Sequence, residues 1–365
     1  MNNAKRILCS VLAVAMLLSV MLTGCSMPKI TLKGTGDVAA YYGDTTIPTG
    51  EYLAYLYNEF YSMYYNQGLY QYEMYGYDVW AESYPYGEGD AKEELSFSDY
   101  IIRAAQDHMK RQLALEKMMK ENNLSWIEEE VKDMDKEIAE MTKDAYVSLG
   151  ISDENFLKVY KAIGLNERAV FFGLYGKDGS RAVADKDIRE YFDKNYLSYK
   201  VISIPLTGSD GKELKDDEKK KIKDELNGYL EIYNKDKNFE AAMDAYNKSK
   251  AEKDAKVEPS KDEDNRRNVD VNDIDENLAK VIQGLGVGTG KVVEYKSGGT
   301  TPTAAFIVRL SINEPAELYT DSYEAILSAL KYEEFNKDVT KKTEEINIAF
   351  EKKVVKKCKP ENFLG

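Results

Sequence analysis

The sequence predicts an α+β chain that is mainly helical: a helical amino-terminal lobe completed by a long carboxy-terminal helix, with a small α+β domain inserted between them. Three observations predict it. Apolar residues recur at helical spacing from about residue 97 to residue 195. At Tyr199 the pattern changes to short β-rich runs, punctuated by Gly-containing turns up to Ile312. After residue 320 a single long helical pattern returns. Periods near 3.6 and near 2 are the signatures of helix and of half-buried strand.

The first element is not part of the fold. Lys5 and Arg6 precede an apolar run from Ile7 to Leu22 that ends in Leu22-Thr23-Gly24-Cys25. A positive start, a short apolar segment and small residues before a cut site make a secretory signal peptide. The run is also shorter than the ~18 apolar residues of a spanning helix. Leu-Thr-Gly-Cys resembles the lipobox of bacterial lipoproteins, which implies cleavage after residue 24 and diacylation of Cys25, with palmitate-type chains. Two chains anchor firmly where one is marginal, since each buried CH₂ contributes ~0.8 kcal/mol. Residues 1–24 are thus read as leader and 25–37 as a polar tether.

With Cys9 in the leader and Cys25 lipidated, Cys358 is left alone, so no internal disulfide is available. The formal net charge of −14 becomes −16 once Lys5 and Arg6 are removed. Such a chain is a poor nucleic-acid ligand and is not expected to adhere to anionic lipid by charge, so its membrane attachment is assigned to the lipid.

Residues 38–197 form the expected helical lobe. Val38 to Ile47 reads as a small strand and turn, with Gly43-Asp44 at the bend. Of the 28 tyrosines, 14 lie between Tyr41 and Tyr86. Tyr52, Tyr55, Leu56 and Glu59 fall at helical spacing and predict a helix over 50–67, followed by Gly-rich loop through Gly89. Tyrosine combines large, stiff contact area with a polar tip. Tyr55, Tyr61, Tyr65, Tyr72 and Trp80 are therefore candidate peptide-binding aromatics, the alternative being that these rings pack the lobe. A helix over 97–122 carries Ile101, Ala105, Met109 and Leu113. Ser125 and Glu128 have capping-box spacing, and the helix they open has an apolar seam at Ile127, Val131, Met134, Ile138, Met141 and Ala145. The preceding helix is its expected partner. Helices over 153–175 and 185–195 complete the lobe.

The inserted domain, 198–314, begins with a strand over 199–206 and the turn Gly208-Ser209-Asp210-Gly211. Helices over 216–233 and 238–248 follow, then a charged loop over 249–273 and a helix over 274–283. Strands over 290–296 and 304–312 are joined at Ser297-Gly298-Gly299. Residues 315–365 contain the last long helix, 321–352. Its Tyr323, Leu327, Leu330, Val339, Ile346 and Phe350 form an apolar face that needs a partner.

Familiar active sites do not fit. Gly284 to Lys291 lacks both the first Gly and the Ser or Thr of a phosphate loop. The acidic run 262–276 lacks EF-hand spacing. His108, the only histidine, has neither a linked serine nucleophile nor companion metal ligands. No cofactor and no metal are expected.

This order of elements resembles the PrsA/SurA-type foldases over nearly the whole mature chain. Val38-Ala39-Ala40-Tyr41 through Ile47-Pro48-Thr49-Gly50-Glu51-Tyr52 is similar to the family's opening. Ala184-Asp185-Lys186-Asp187-Ile188 to Tyr191-Phe192 is similar to its run into the isomerase domain. Gly284 to Val293 resembles a parvulin segment. The resemblance implies a parvulin-like peptidyl-prolyl isomerase domain whose two histidines would fall on Ser203 and Phe306. The family's chemistry is therefore expected to be absent or weak, with Ile274, Leu278, Val281 and Ile282 left as the wall of a proline pocket. The implied protein is a folding factor on the outer face of the cell membrane, Gram-positive in type, whose partners are unfolded secreted polypeptides. A solute- or glycan-binding lipoprotein, and a structural envelope protein with one fixed partner, are the alternatives.

Overall fold

The computed structural model describes residues 37–87, 92–141, 144–147, 149–251, 258–261 and 265–363. The leader and Cys25 lie outside these residues. The chain is α+β and mainly helical. It divides into two compact units, one holding the chain up to Val183 together with Leu327 onward, the other Ala184–Ile326.

In the first unit, β1 (Val38–Tyr42) and β2 (Thr45–Pro48) form an antiparallel hairpin. Gly43 turns it at φ 56, a left-handed conformation open to glycine without steric cost. Helix α1 (Thr49–Tyr61) is apolar on nearly every side, as a central helix must be; Tyr52, Leu53, Leu56 and Phe60 are fully buried. It continues as a π-helical turn, Ser62–Asn66.

The stretch expected to be loop is ordered. It contains α2 (Leu69–Met74) and a hairpin of β3 (Ser83–Tyr86) and β4 (Glu93–Ser96). Ser96 caps α3 (Phe97–Glu121), its hydroxyl accepting from the Asp99 amide at 3.1 Å. Ile101, Ala105 and Met109 face α1 in the core.

Helix α4 (Glu128–Glu140) departs from expectation twice. It begins at Glu128 without a side-chain cap, rather than at Ser125. Trp126 is instead tied down by its indole N–H, which donates to Asn166 Oδ1 at 2.7 Å. Its seam of Val131, Met134, Ile138 and Met141 meets Phe156, Tyr160 and Leu165, not the preceding helix. Those three partners belong to α6 (Asp153–Tyr175), which follows a short α5 (Asp144–Val147).

A chain of polar side chains runs through this core. Trp126 donates to Asn166, whose amide donates to Gln112 Oε1 at 3.1 Å. Gln112 Nε2 lies 3.2 Å from His108 Nε2, and His108 Nδ1 lies 2.6 Å from Glu59 Oε1. An amide NH₂ can only donate, so Nε2 accepts and Nδ1 carries the proton toward Glu59. Gln112 and Asn166 are buried, and both are satisfied by this chain. His108 is a structural link between α1 and α3.

The second unit opens with α7 (Asp185–Asn195) and β5 (Tyr196–Pro205). Helices α8 (Asp216–Asp236) and α9 (Phe239–Lys250) follow. Within the charged stretch expected to be loop lies β6 (Arg266–Asp270), paired to β5 from Tyr196↔Asp270 to Lys200↔Arg266. Next come α10 (Glu276–Gly284), β7 (Gly290–Ser297) and β8 (Thr301–Leu310). The sheet is antiparallel throughout, in the order β6-β5-β8-β7.

One face of this sheet packs on α8 and α9, where Ile202, Phe306 and Val308 meet Leu226, Tyr233 and Phe239. The other packs on α10, where Tyr199, Ala305 and Ile307 meet Leu278 and Ile282. Gly290 permits the first contact, because a Cβ there would stand 2.9 Å from both Leu230 Cδ1 and Phe306 Cε2.

Helix α11 (Glu317–Glu344) ends earlier than the sequence pattern suggests. Its residues from Leu327 onward belong to the first unit. Phe335 is fully buried, edge-on to Phe171 of α6 at 5.3 Å. Leu327, Val339 and Ile346 are also buried, whereas Leu330 is exposed. Phe350 lies beyond the helix in β9 (Ala349–Phe350), which adds to β1. A single turn, α12 (Lys352–Val355), and a 3₁₀ turn, Pro360–Phe363, close the chain.

Candidate functional site

The tyrosine-rich segment separates into core and surface. Tyr55 and Tyr61 are buried, and Tyr55 lies edge-on to His108 at 5.8 Å. Trp80 is half-buried, stacked on Phe60 and edge-on to Phe97 at 4.8 Å. These three serve the core. Tyr65 and Tyr72 are exposed, and with them Met74 at 79%, Tyr75 at 81% and Tyr77 at 63%. The sequence reading missed these last three. The available signal was a run of aromatic and apolar residues between Gly68 and Gly76, too short a helix to bury more than one side.

Several contacts hold the patch in place. Gly68 at φ 77 redirects the chain out of the π-helical turn into α2. The Tyr64 hydroxyl donates to the Glu73 carboxylate, which fixes α2 on the end of α1. Burial and the Glu73 charge both push the Tyr64 phenol upward, so it stays a donor. Tyr72 and Tyr77 meet edge-on at 6.3 Å, and the Tyr77 amide bonds the Tyr72 carbonyl at 3.0 Å. Tyr65 packs on Tyr61 and Tyr70.

The sequence around the patch is acidic. No Lys or Arg stands between Lys33 and Lys92, whereas Glu73, Asp78 and Glu82 lie within or beside the patch. Exposed rings with polar tips in a negative setting can hold an extended peptide by ring and side-chain contact, and can take cations on their faces. Several large apolar side chains exposed on one short segment are the kind of surface that interaction sites use.

The structure does not bring Ser203 and Phe306 together. Ser203 pairs with Ala305, and Phe306 pairs with Ile202. Because side chains alternate along a strand, the two positions point to opposite faces. Phe306 is fully buried under α8 and α9, against Phe239 at 5.5 Å and Tyr233 at 5.9 Å. Ser203 is half-buried on the α10 face, the face that also carries Ile274, Leu278, Val281 and Ile282. Leu278 and Ile282 are buried there in the packing of α10 on the sheet. The neighbouring positions on the Ser203 face are Tyr199 and Val201 of β5 and Thr303, Ala305 and Ile307 of β8.

Among the described residues, no three His, Cys, Asp or Glu side chains are placed to hold a metal ion. No helix of the described residues is long and apolar enough to cross a membrane.

A family described as the bacterial trigger factor protein (TF) C-terminus matches residues 55–170, about a third of the chain. No curated protein matches. Solved structures similar to this chain include three foldase proteins. The foldase protein PrsA of Lactococcus lactis is 12% identical, with 88% of this chain and 99% of that chain covered at a TM-score of 0.37. PrsA of Streptococcus pneumoniae is 12% identical, covering 72% and 93% at 0.34. PrsA of Bacillus subtilis is 16% identical, covering 75% and 92% at 0.27.

Proposed function

We propose that this chain is a lipid-anchored, extracytoplasmic folding factor that holds unfolded secreted polypeptides on the exposed aromatic patch of α2. The observation that carries the reading is the patch itself: Tyr72, Met74, Tyr75 and Tyr77 stand in solvent on α2 and the turn that follows it, braced by Tyr64 and Glu73. Exposing this much ring and thioether surface is a liability unless something binds it. The match of residues 55–170 to the C-terminus of bacterial trigger factor spans the patch, and the leader with Cys25 supports export and anchoring. Residues 198–314 are read as a parvulin-like domain without prolyl isomerase catalysis. The chain's one histidine lies outside them, and Ser203 and Phe306 face opposite sides of the sheet. The test is light scattering of an unfolded client diluted into buffer with an equimolar amount of the chain from Ser26 onward. Delayed aggregation supports the reading; an unchanged time course removes it.

A further inference from the structure

The carboxy-terminal turn carries a concentrated positive charge on an otherwise acidic chain. Lys352, Lys353, Lys356, Lys357 and Lys359 are all exposed. Val354, Val355 and Cys358 point the other way into the core of the first unit, so the turn is amphipathic, with lysines out and apolar residues in. Two acidic residues flank the cluster, Glu351 and Glu361, leaving a local excess of three positive charges (five Lys less two Glu).

The location of the cluster matters as much as its charge. β9 pairs with β1 through Ala40↔Phe350 and Tyr41↔Ala349, and the Glu351 amide bonds the Ala39 carbonyl at 2.9 Å. In an antiparallel pair the next residues run on in opposite senses, so Lys352 and Lys353 lie at the end of β1 where the chain enters from Asp37. Eleven residues lie between Cys25 and Asp37. A chain of that length reaches at most about 40 Å even when fully extended, so the cluster stays close to the anchored residue.

We propose that this lysine cluster is a docking surface for anionic phospholipid headgroups. It seats the first unit against the membrane beside the acylated Cys25. The inference rests on the anchoring reading for the tether, though not for the charge. Basic residues beside a membrane attachment point are drawn to a negative lipid surface over about one Debye length, ~8–10 Å. Net charge hides this device, since the rest of the chain repels the same surface.

The test uses the unlipidated chain from Ser26 onward, which keeps every described residue, in co-sedimentation with vesicles. Phosphatidylcholine vesicles are compared with vesicles that also contain phosphatidylglycerol. The chain is expected to bind only the anionic vesicles, and to release in about 1 M salt, where the Debye length is ~3 Å. Replacing all five lysines by glutamine is expected to weaken binding about tenfold or more, while five arginines retain it. Equal binding to neutral and anionic vesicles overturns the proposal, as does unchanged binding of the glutamine variant or retention by soluble heparin without vesicle binding. Failure of the anchor is seen separately, as absence of acyl label on Cys25 in cells, and leaves the vesicle result standing.

Discussion

The Tyr64 hydroxyl donates to the Glu73 carboxylate across nine residues of sequence, tying α2 to the π-helical end of α1. That bond is one of the contacts that hold the segment carrying Tyr72, Tyr75 and Tyr77. Tyr64→Phe keeps the ring stacked on Phe60 and removes only the donor. The expected loss is about 1.5–3 kcal/mol, the range for a hydrogen bond to a charged group. Amide exchange should speed up over residues 69–77 and stay unchanged in α6, and client capture should weaken.

The docking of α11 is tested at Phe335. Its ring is fully buried against Phe171, and the surrounding helix is tied through Asp338 to Arg181 and through Lys342 to Glu121. Truncating such a ring costs about 3–5 kcal/mol. Phe335→Ala should therefore lower the melting temperature of the first unit. Residues 184–326, followed by hydrogen exchange, should keep their protection.

Alkaline pH should unfold both units. Burial pushes the Tyr52 phenol up to about 12, and burial with the nearby Asp270 charge does the same to Tyr196. A raised folded value means that the native state holds its proton after the unfolded chain, near pH 10, has lost it. The stabilisation is present below pH 10 and is lost as pH rises toward 12, by about 2–3 kcal/mol for Tyr52 and in the same direction for Tyr196. Thermal melts between pH 9 and 12 check this. Tyr52→Phe should flatten the loss in the first unit, and Tyr196→Phe in the second.

Prolyl isomerisation should be at most weakly accelerated. The barrier to rotation is ~18–20 kcal/mol, and the Ser203 face offers Ser203 and Thr303 but no imidazole. One hydrogen bond in a dry site contributes ~1–3 kcal/mol, or about tenfold to a hundredfold. A protease-coupled assay on X-Pro peptides checks it, and acceleration of about a thousandfold would contradict it.

Much of this architecture was legible in the sequence. The helix over 153–175 and that over 185–195 were readable from end to end, because their periods are strong and their boundaries are marked. The seam on α4 showed that a partner was needed but not which; periodicity is a local property, and the choice of α6 was made by tertiary packing. β6 escaped notice because an edge strand of Arg-Arg-Asn-Val-Asp buries little and so carries little apolar signal. The tyrosines could not be sorted by composition. Tyr55 and Tyr75 are the same residue type twenty positions apart, yet one lies in the core and the other in water. Ser203 and Phe306 lie on opposite faces of the sheet because the register pairs Ser203 with Ala305 and Ile202 with Phe306, a pairing that the sequence of either strand alone does not reveal.

The central claim is that unfolded chains are held at α2. Photo-crosslinking tests it most directly: a benzophenone side chain at Tyr75, and as a control at Leu330, which is exposed on α11 of the same unit. With an unfolded client present, crosslinks are predicted from position 75, competed away by excess client and absent when the client is folded. Crosslinks of equal yield from both positions, or none from position 75, would contradict the account.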